Sequence, residues 1–207
     1  MCGRFEQHLA AMQEWRGLLT SWPEQLPIRF SVKPSEAALT LSADGWRDRR
    51  WSLLPRWSRQ PKVKFSTFNA RVEGVADKPA FRDAWHSGQR CLVPVSAYFE
   101  WTQGTAGKQC YRVSSAQPML LAGLWEVWSR GDQRVDSFTI LTTPAPASMA
   151  WLHPRAPLLL APGDVDIWLR GSVAQAAAML GGEAPYSLNA EPLAGPDQCE
   201  RQGSLFP

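Results

Sequence analysis

The strongest constraint on the fold is a series of short apolar segments in the second half of the chain. They occupy residues 90–101, 108–114, 119–128 and 135–143, are rich in Val, Leu, Ile, Phe, Trp and Tyr, and are separated by Gly, Ser, Asp and Gln. Such runs between turn-forming residues are typical of β-strands. Because they do not alternate regularly with helices, the pattern favours a mainly antiparallel sheet over a doubly wound parallel one.

Further short elements are predicted around this series. An amphipathic helix is predicted over residues 6–22, where apolar residues recur near helical spacing, and Pro23 ends it. Other strands are predicted at 28–33, 37–42, 47–54 and 157–161, other helices at 78–87, 164–170 and 172–180, and one or two helical turns at 146–152. We therefore expect an α+β fold, mainly antiparallel β with barrel-like sheets and peripheral helices. It should form a single domain over residues 1–207, with an irregular tail at 181–207.

The composition excludes several classes of protein. No run of 18 apolar residues predicts a membrane span and the N-terminus lacks a signal pattern, so we expect a cytoplasmic protein. The four cysteines form no CxxC pair and only three histidines are present, which predicts that no metal is bound. The net charge of +3 is compatible with a polyanionic partner, and some of the 11 tryptophans could stack on unpaired bases.

The N-terminus offers unusual chemistry at Cys2. An initiator methionine is removed when the second residue is small, and removal of Met1 gives Cys2 a free α-amine beside its thiol. The reference pKa of an α-amine is ~7.8 against ~10.4 for lysine, so a useful neutral fraction exists at pH 7. Such a 1,2-aminothiol can form an imine with an aldehyde and then close a five-membered ring. The alternative is that Met1 stays and Cys2 is an ordinary small apolar residue.

A second candidate segment contains Asn69 and Arg71. Two residues apart on an extended chain, their side chains face the same side. An amide offers both a donor and an acceptor, and a guanidinium matches the geometry of a phosphate. The alternative is a turn asparagine followed by a surface pair between Arg71 and Glu73.

A third candidate is Glu100, which lies between Phe99 and Trp101 at the end of a strongly apolar run. A partly desolvated carboxyl group has a raised pKa, which suits it to proton transfer near neutral pH. Strand alternation places Tyr98 and Glu100 on one face and the two neighbouring aromatic residues on the other. The alternative is therefore a glutamate that faces solvent from a half-buried strand.

The fourth candidate is His153, which is enclosed by Pro154, Arg155 and Pro157. Histidine is the side chain whose unperturbed pKa lies closest to neutral pH, so it can both donate and accept protons there. The alternative is a loop histidine that only caps or packs.

In this order the four segments resemble a known family. The sequences Met-Cys-Gly-Arg-Phe at 1–5, Asn-Ala-Arg-Val-Glu at 69–73, Phe-Glu-Trp at 99–101 and His-x-Arg-x-Pro at 153–157 are similar to those of the SRAP proteins. The resemblance to these SOS response-associated peptidase-like proteins extends from residue 1 to about residue 170. It implies a protein that crosslinks to abasic sites in single-stranded DNA, shields the lesion during the DNA damage response and needs no cofactor or metal.

The resemblance also implies the roles of the catalytic residues. Cys2 would form the imine and then the thiazolidine with the opened sugar. Asn69 would position Cys2 and the sugar, and Glu100 would move protons during imine formation and ring closure. His153 would promote opening of the sugar and support strand cleavage when the imine persists. A lyase activity on abasic sites and self-removal of the residue before Cys2 are further activities that the resemblance suggests.

Seven further residues match family positions that contact DNA. By resemblance, the DNA-binding residues are Gly3, Arg4, Trp57, Arg71, Trp101, Thr142 and Arg155. Together they imply a monomer that binds single-stranded DNA with abasic sites, including junctions of single- and double-stranded DNA, and that joins the nucleoid when it meets damaged DNA. Five positions depart from the family pattern, namely Ser31, Lys33, Ser52, Pro154 and Ala156. Ser52 stands where a glycine is common.

Two other functions fit parts of the sequence. An N-terminal-nucleophile amidohydrolase, such as a glutamine amidotransferase, also begins Met-Cys-Gly, but Arg4 stands where those enzymes have an apolar residue. A non-catalytic binder of single-stranded DNA would use only the tryptophans and arginines. Loss of DNA crosslinking on Cys2→Ala separates the covalent function from this last one.

Overall fold

Two β-sheets with short helices on the outside make up the computed structural model, which describes residues 2–8, 28–104, 107–117, 119–181 and 184–193. The strands are β1 Phe5–His8, β2 Ile28–Val32, β3 Ala37–Ser42, β4 Gly45–Trp51, β5 Asn69–Arg71, β6 Arg90–Val95, β7 Ala97–Gly104, β8 Gly107–Ser114, β9 Met119–Arg130, β10 Gln133–Pro144, β11 Arg155–Pro157, β12 Leu159–Leu160 and β13 Asn189–Pro192. The helices are α1 Arg82–His86, α2 Val165–Arg170 and α3 Val173–Ala178, with 3₁₀ turns at Val72–Gly74 and Pro162–Asp164.

The smaller sheet holds the N-terminal strand in its interior. Its order is β13-β8-β7-β1-β2, and all of its pairings are antiparallel. Phe5 lies opposite Val32 of β2 on one side and Tyr98 of β7 on the other. The residues that precede Phe5 are therefore directed along the end of β7, where Glu100 lies.

The larger sheet closes on itself without becoming a barrel. Its order is β11-β10-β4-β3-β6-β9-β12, and β10 also pairs with β9, so the pairings return to their start. The connection between β4 and β10 is parallel and only two residue pairs long, Ser137 with Arg50 and Phe138 with Trp51. The prediction of a mainly antiparallel α+β fold is confirmed, and the expected barrel-like sheets form a ring rather than a barrel.

Several predicted boundaries are wrong. The apolar run 90–101 is two strands, because the chain turns at Ser96 and passes from the larger sheet to the smaller one. Residues 6–8 belong to β1 instead of a helix, and the rest of the predicted helix 6–22 lies outside the described residues from position 9 onward. The tail expected to be irregular contains β13, which pairs with β8.

A buried glutamine joins the two sheets. Gln7 in β1 is 0% exposed, and its Nε2 donates to the carbonyls of Leu39 (2.8 Å) and Pro94 (2.9 Å). Its Oε1 accepts from the Leu39 amide at 3.0 Å. Since buried polar groups must be hydrogen-bonded, these three bonds fix β1 against β3 and β6 of the larger sheet.

The segment after residue 154 fills the gap where β9 and β10 diverge. β11 pairs with the end of β10, whereas β12 pairs with the start of β9. Leu158 bridges both strands, since its amide donates to the Leu141 carbonyl and its carbonyl accepts from Ala122. This insertion holds the preceding loop, which carries His153, at the end of the larger sheet. Among the described residues, no helix has the length and apolar character needed to cross a membrane.

Candidate active site

The N-terminal residues enter the protein interior beside β7. The Arg4 carbonyl accepts from the Phe99 amide at 2.9 Å, which extends the pairing of β1 with β7 toward the terminus. Cys2 is 0% exposed and packs in the same apolar cluster as Phe5, Trp51 and Tyr98. Its Sγ lies 3.6 Å from the Arg4 carbonyl oxygen. Cys2 is therefore held in place by the core of the protein.

Asn69 contacts Cys2 directly. Its Nδ2 donates to the Cys2 carbonyl at 2.7 Å. Asn69 is the first residue of β5, where it lies opposite Ile140 of β10. Its Oδ1 is buried and accepts no hydrogen bond from the described residues. The amide thus fixes the backbone of Cys2 with its nitrogen and keeps an acceptor available beside it.

Glu100 is buried on the same side of β7 as Tyr98. Only 3% of its surface is exposed, so the alternative of a solvent-facing glutamate is wrong. Burial raises the pKa of the Glu100 carboxyl, and the positive charge of His153 acts in the opposite direction. The carboxyl group can therefore hold a proton at a pH where an exposed glutamate is ionised.

The thiol of Cys2 is a weak acid in this environment. Burial raises its pKa well above the ordinary value, and the negative charge of Glu100 raises it further. The thiolate is the nucleophilic form of cysteine. At neutral pH the Cys2 thiol therefore stays protonated until a neighbouring group removes its proton.

His153 is held by the backbone two residues further on. The Arg155 amide donates to Nδ1 of His153 at 2.9 Å, and the Arg155 carbonyl lies 3.0 Å from the same nitrogen. In the neutral ring Nδ1 accepts from the amide, which leaves the proton on Nε2. In the imidazolium Nδ1 donates to the carbonyl instead. The same backbone can thus serve both protonation states, and the charge of His153 acts on Glu100.

Three residues that were expected to bind phosphate, Arg71, Thr142 and Arg155, lie at the end of β10 and differ in their hydrogen-bond partners. Arg155 binds Glu73 with both terminal nitrogens, at 2.5 Å and 2.9 Å, and also donates to the Thr142 carbonyl. Thr142 is 0% exposed and its hydroxyl donates to the Ala70 carbonyl at 3.4 Å. Arg71 is exposed and lies opposite Thr142 in the pairing of β5 with β10. The phosphate contacts expected of these residues stay predictions.

A cationic and aromatic group lies around Trp101. The Arg4 guanidinium lies 5.4 Å from the Trp101 ring centroid, and Lys108 Nζ lies 5.2 Å from it. Arg4 is itself 8% exposed, and Gly3 between it and Cys2 is half-buried. Sequence reasoning missed Lys108, because only the register of the β7–β8 hairpin brings it to Trp101.

The other predicted aromatic residue, Trp57, lies in a separate exposed loop. It is 45% exposed and stacks on Phe65, which is 50% exposed, with 6.5 Å between the ring centroids. Its Nε1 donates to the Pro79 carbonyl at 2.8 Å. Sequence reasoning missed Phe65, because the exposure of a side chain and its stacking partner cannot be read from a loop sequence. The pair forms an exposed apolar surface flanked by basic residues such as Lys62 and Lys64.

No three His, Cys, Asp or Glu side chains within the described ranges are grouped so that they could hold a metal ion. A cavity of about 790 Å³ lies beside Glu73, Pro144 and Ala156 and extends to Tyr186. None of Cys2, Asn69, Glu100 and His153 lines it. The four candidate residues are thus grouped near the buried Cys2 and do not line this cavity.

Fold and site define a class of mainly β protein in which a buried cysteine near the start of the chain, Cys2, lies beside an asparagine and a buried glutamate. The chain belongs to the SRAP family, whose model, described as SOS response associated peptidase, matches residues 1–193. It is 31% identical over 184 residues to the Abasic site processing protein YoqW of Bacillus subtilis, covering 82% of this chain and 80% of that one. It is 30% identical over 190 residues to the Abasic site processing protein YedK of Escherichia coli, covering 84% and 81%.

Solved structures share the fold. A protein from Bordetella bronchiseptica superposes with a TM-score of 0.81 at 22% identity, covering 93% of this chain and 100% of that one. A phage-related protein from the same organism gives a TM-score of 0.71 at 26% identity, covering 94% and 95%. Among relatives known by sequence, the Abasic site processing protein HMCES of Xenopus tropicalis is 25% identical over 169 residues, covering 69% of this chain and 50% of that one.

Proposed function

We propose that this protein processes abasic sites in single-stranded DNA by forming a covalent bond through Cys2 after removal of Met1. The observation that carries the proposal is the contact of Asn69 Nδ2 with the Cys2 carbonyl at 2.7 Å, next to a buried Glu100. The names of the relatives YoqW and YedK support abasic sites as the substrate.

The covalent chemistry begins at the Cys2 amine. An abasic deoxyribose opens to an aldehyde, and the amine nitrogen adds to its carbonyl carbon to give a carbinolamine. A protonated Glu100 donates to the departing hydroxyl, so that water leaves and a protonated imine forms. The Glu100 carboxylate then removes the thiol proton, and the sulfur adds to the imine carbon, which gives the thiazolidine and restores the protonated Glu100. Overall one water is released, and a C–N and a C–S bond replace the carbonyl.

The raised thiol pKa supports this order of steps. A buried, protonated thiol is a poor nucleophile, whereas the α-amine has a reference pKa of ~7.8. Nitrogen therefore attacks first, which leaves Glu100 ionised after it has given up its proton. The carboxylate can then remove the thiol proton. One buried carboxyl group with a raised pKa serves as acid and then as base.

DNA binding in this proposal uses phosphate and stacking contacts. Arg4, Arg71 and Arg155 bind phosphates, and Trp57 and Trp101 contact bases. Such contacts do not depend on the base sequence, as processing of a lesion at any position requires. His153, beside Glu100, promotes opening of the sugar and supports strand cleavage when the imine persists. Self-removal of the residue before Cys2 remains part of the proposal.

The test is covalent capture on a denaturing gel. Purified protein, with loss of Met1 checked by intact mass, is incubated with single-stranded DNA that contains one abasic site. We expect a shifted band whose adduct peptide contains Cys2, and no band with Cys2→Ala. An adduct on another side chain, or an undiminished band with Cys2→Ala, contradicts the proposal. Glutaminase activity that depends on Cys2 would favour the amidohydrolase instead.

A further inference from the structure

Trp151 is a large aromatic side chain that remains exposed although it is held in place. It is 57% exposed. Its Nε1 donates to the Ser148 carbonyl at 3.0 Å, and the ring meets Tyr111 edge to face, with 5.1 Å between centroids and 82° between planes. These two contacts fix the orientation of the indole before any partner arrives.

Trp151 is connected to the candidate active site through Tyr111. Tyr111 in β8 lies directly opposite Glu100 in β7, and the side chains of such a pair share one face of the sheet. Trp151 packs against that tyrosine, and His153 follows two residues later on the same loop. The exposed indole therefore lies next to the groups that would receive the opened sugar.

We propose that Trp151 is a stacking platform for the nucleobase adjacent to the abasic site. The inference rests on the proposed function and extends it to a further binding residue. A strand whose sugar reacts at Cys2 brings its own neighbouring base close to the site, since successive nucleotides of a stacked strand are about 3.4 Å apart. The base that stacks on Trp151 is thus part of the substrate strand itself.

The chemistry of the indole favours a base over a protein partner. One exposed indole offers far less area than a stable protein–protein interface, which buries on the order of 800 Å² on each partner. A nucleobase matches an aromatic plane, and a base–aromatic stack is independent of sequence because every base has a π-face. Stacking at Trp151 would hold the strand while the abasic nucleotide, which has no base to stack, enters the site.

The test separates stacking from crosslinking. Single-stranded DNA carries a tetrahydrofuran in place of the abasic sugar, which cannot open to an aldehyde, and a 2-aminopurine on its 5′ or its 3′ side. We expect wild-type protein to quench the 2-aminopurine at one of these positions. Trp151→Ala abolishes this quenching, Trp151→Phe retains part of it, and Ile167→Ala, which alters an exposed apolar residue of α2, leaves it unchanged.

The same variants are then compared on reactive abasic DNA. Trp151→Ala should lower the crosslinking rate at limiting DNA by roughly 5- to 150-fold, as expected for one lost base stack, and leave the rate at saturating DNA unchanged. Wild-type quenching at neither position, or equal quenching by Trp151→Ala, overturns the inference. Absence of any wild-type crosslink contradicts the proposed function instead, whatever the quenching shows.

Discussion

Cys2 combines two properties that oppose one another. Its thiol is buried and has a raised pKa, which makes it unreactive alone, yet it lies beside a carboxyl group that can remove its proton. Such an arrangement protects the thiol from indiscriminate reaction. In the proposed reaction the proton on Glu100 therefore decides when Cys2 reacts, and single substitutions can test this control.

Glu100→Gln should slow crosslinking and stabilise the fold. The amide cannot transfer protons, so we expect a rate loss of about 10²- to 10⁴-fold. Burial raises the pKa of Glu100 in the folded protein, so stability falls as the pH rises from the unfolded value of about 4.3 through the higher folded value. Thermal unfolding should show a higher Tm for the variant at pH 8, converging with wild type near pH 4.

An unchanged crosslinking rate, or a variant that melts below wild type at pH 8, contradicts these expectations. Glu36→Gln, at an exposed carboxyl group outside the site, serves as the control and should leave the crosslinking rate unchanged.

Ser52 is strained by the backbone turn that it occupies. Its φ is 119°, a region that favours glycine. We expect Ser52→Gly to raise the free energy of unfolding by about 1 kcal/mol, which corresponds to a Tm increase of roughly 2–4 °C. The matched control is Ser129→Gly at the exposed end of β9, which should lower Tm because glycine weakens a strand.

The sequence predicted the fold class and most strands, but it could not distinguish continuous apolar runs from broken ones. The split at Ser96 was missed because Val95 and Ala97 on its two sides are both apolar and fully buried, although they belong to different sheets. The segments that carry Asn69 and Glu100 were found from their order along the chain. Their meeting at Cys2 depends on sheet register, and the exposure of Trp151 depends on packing between distant strands.

At the scale of elements, β9 anchors the loop that carries Trp57. Glu126 is 1% exposed and its Oε1 accepts from Arg56 Nε at 2.5 Å. Two further residues of β9 hold the same loop, since Trp128 Nε1 and Arg130 Nε donate to the Ser58 carbonyl at 2.8 Å and 2.9 Å. The loop is therefore braced on both sides of Trp57.

Glu126→Gln should loosen this loop without touching the reactive groups. The amide weakens the hydrogen bond to Arg56, but it also relieves the cost of burying a carboxylate whose pKa burial raises, so we expect little net change in the free energy of unfolding. We expect the DNA concentration for half-maximal crosslinking to rise several-fold with little change in the maximal rate. Asp166→Asn, which removes an exposed pair with Arg170 on α2, is the control and should change both quantities little. A fall in the maximal rate alone contradicts a positioning role.

At the scale of the whole molecule, Gln7 couples the sheet that carries Cys2 and Glu100 to the ring that carries Asn69. Gln7→Ala leaves buried groups of Leu39 and Pro94 without their partner, which should cost roughly 2–5 kcal/mol of stability. Thermal unfolding should show a fall in Tm of at least several degrees. Gln133→Ala at the exposed start of β10 is the control, and an equal, small effect of both variants contradicts the coupling.

The ring of strands is joined between β4 and β10 by only two residue pairs, at Arg50 and Trp51. A seam this short, like the two-pair seam between β3 and β6, is a place where the ring can open locally while the long β9–β10 hairpin stays intact. Amide hydrogen exchange should therefore be faster at Ser52, whose N–H donates to Phe138, than at the amides within that hairpin. Opening there would release Trp51, whose Nε1 donates to the Phe68 carbonyl at 2.7 Å, and would thereby loosen the backbone that precedes Asn69.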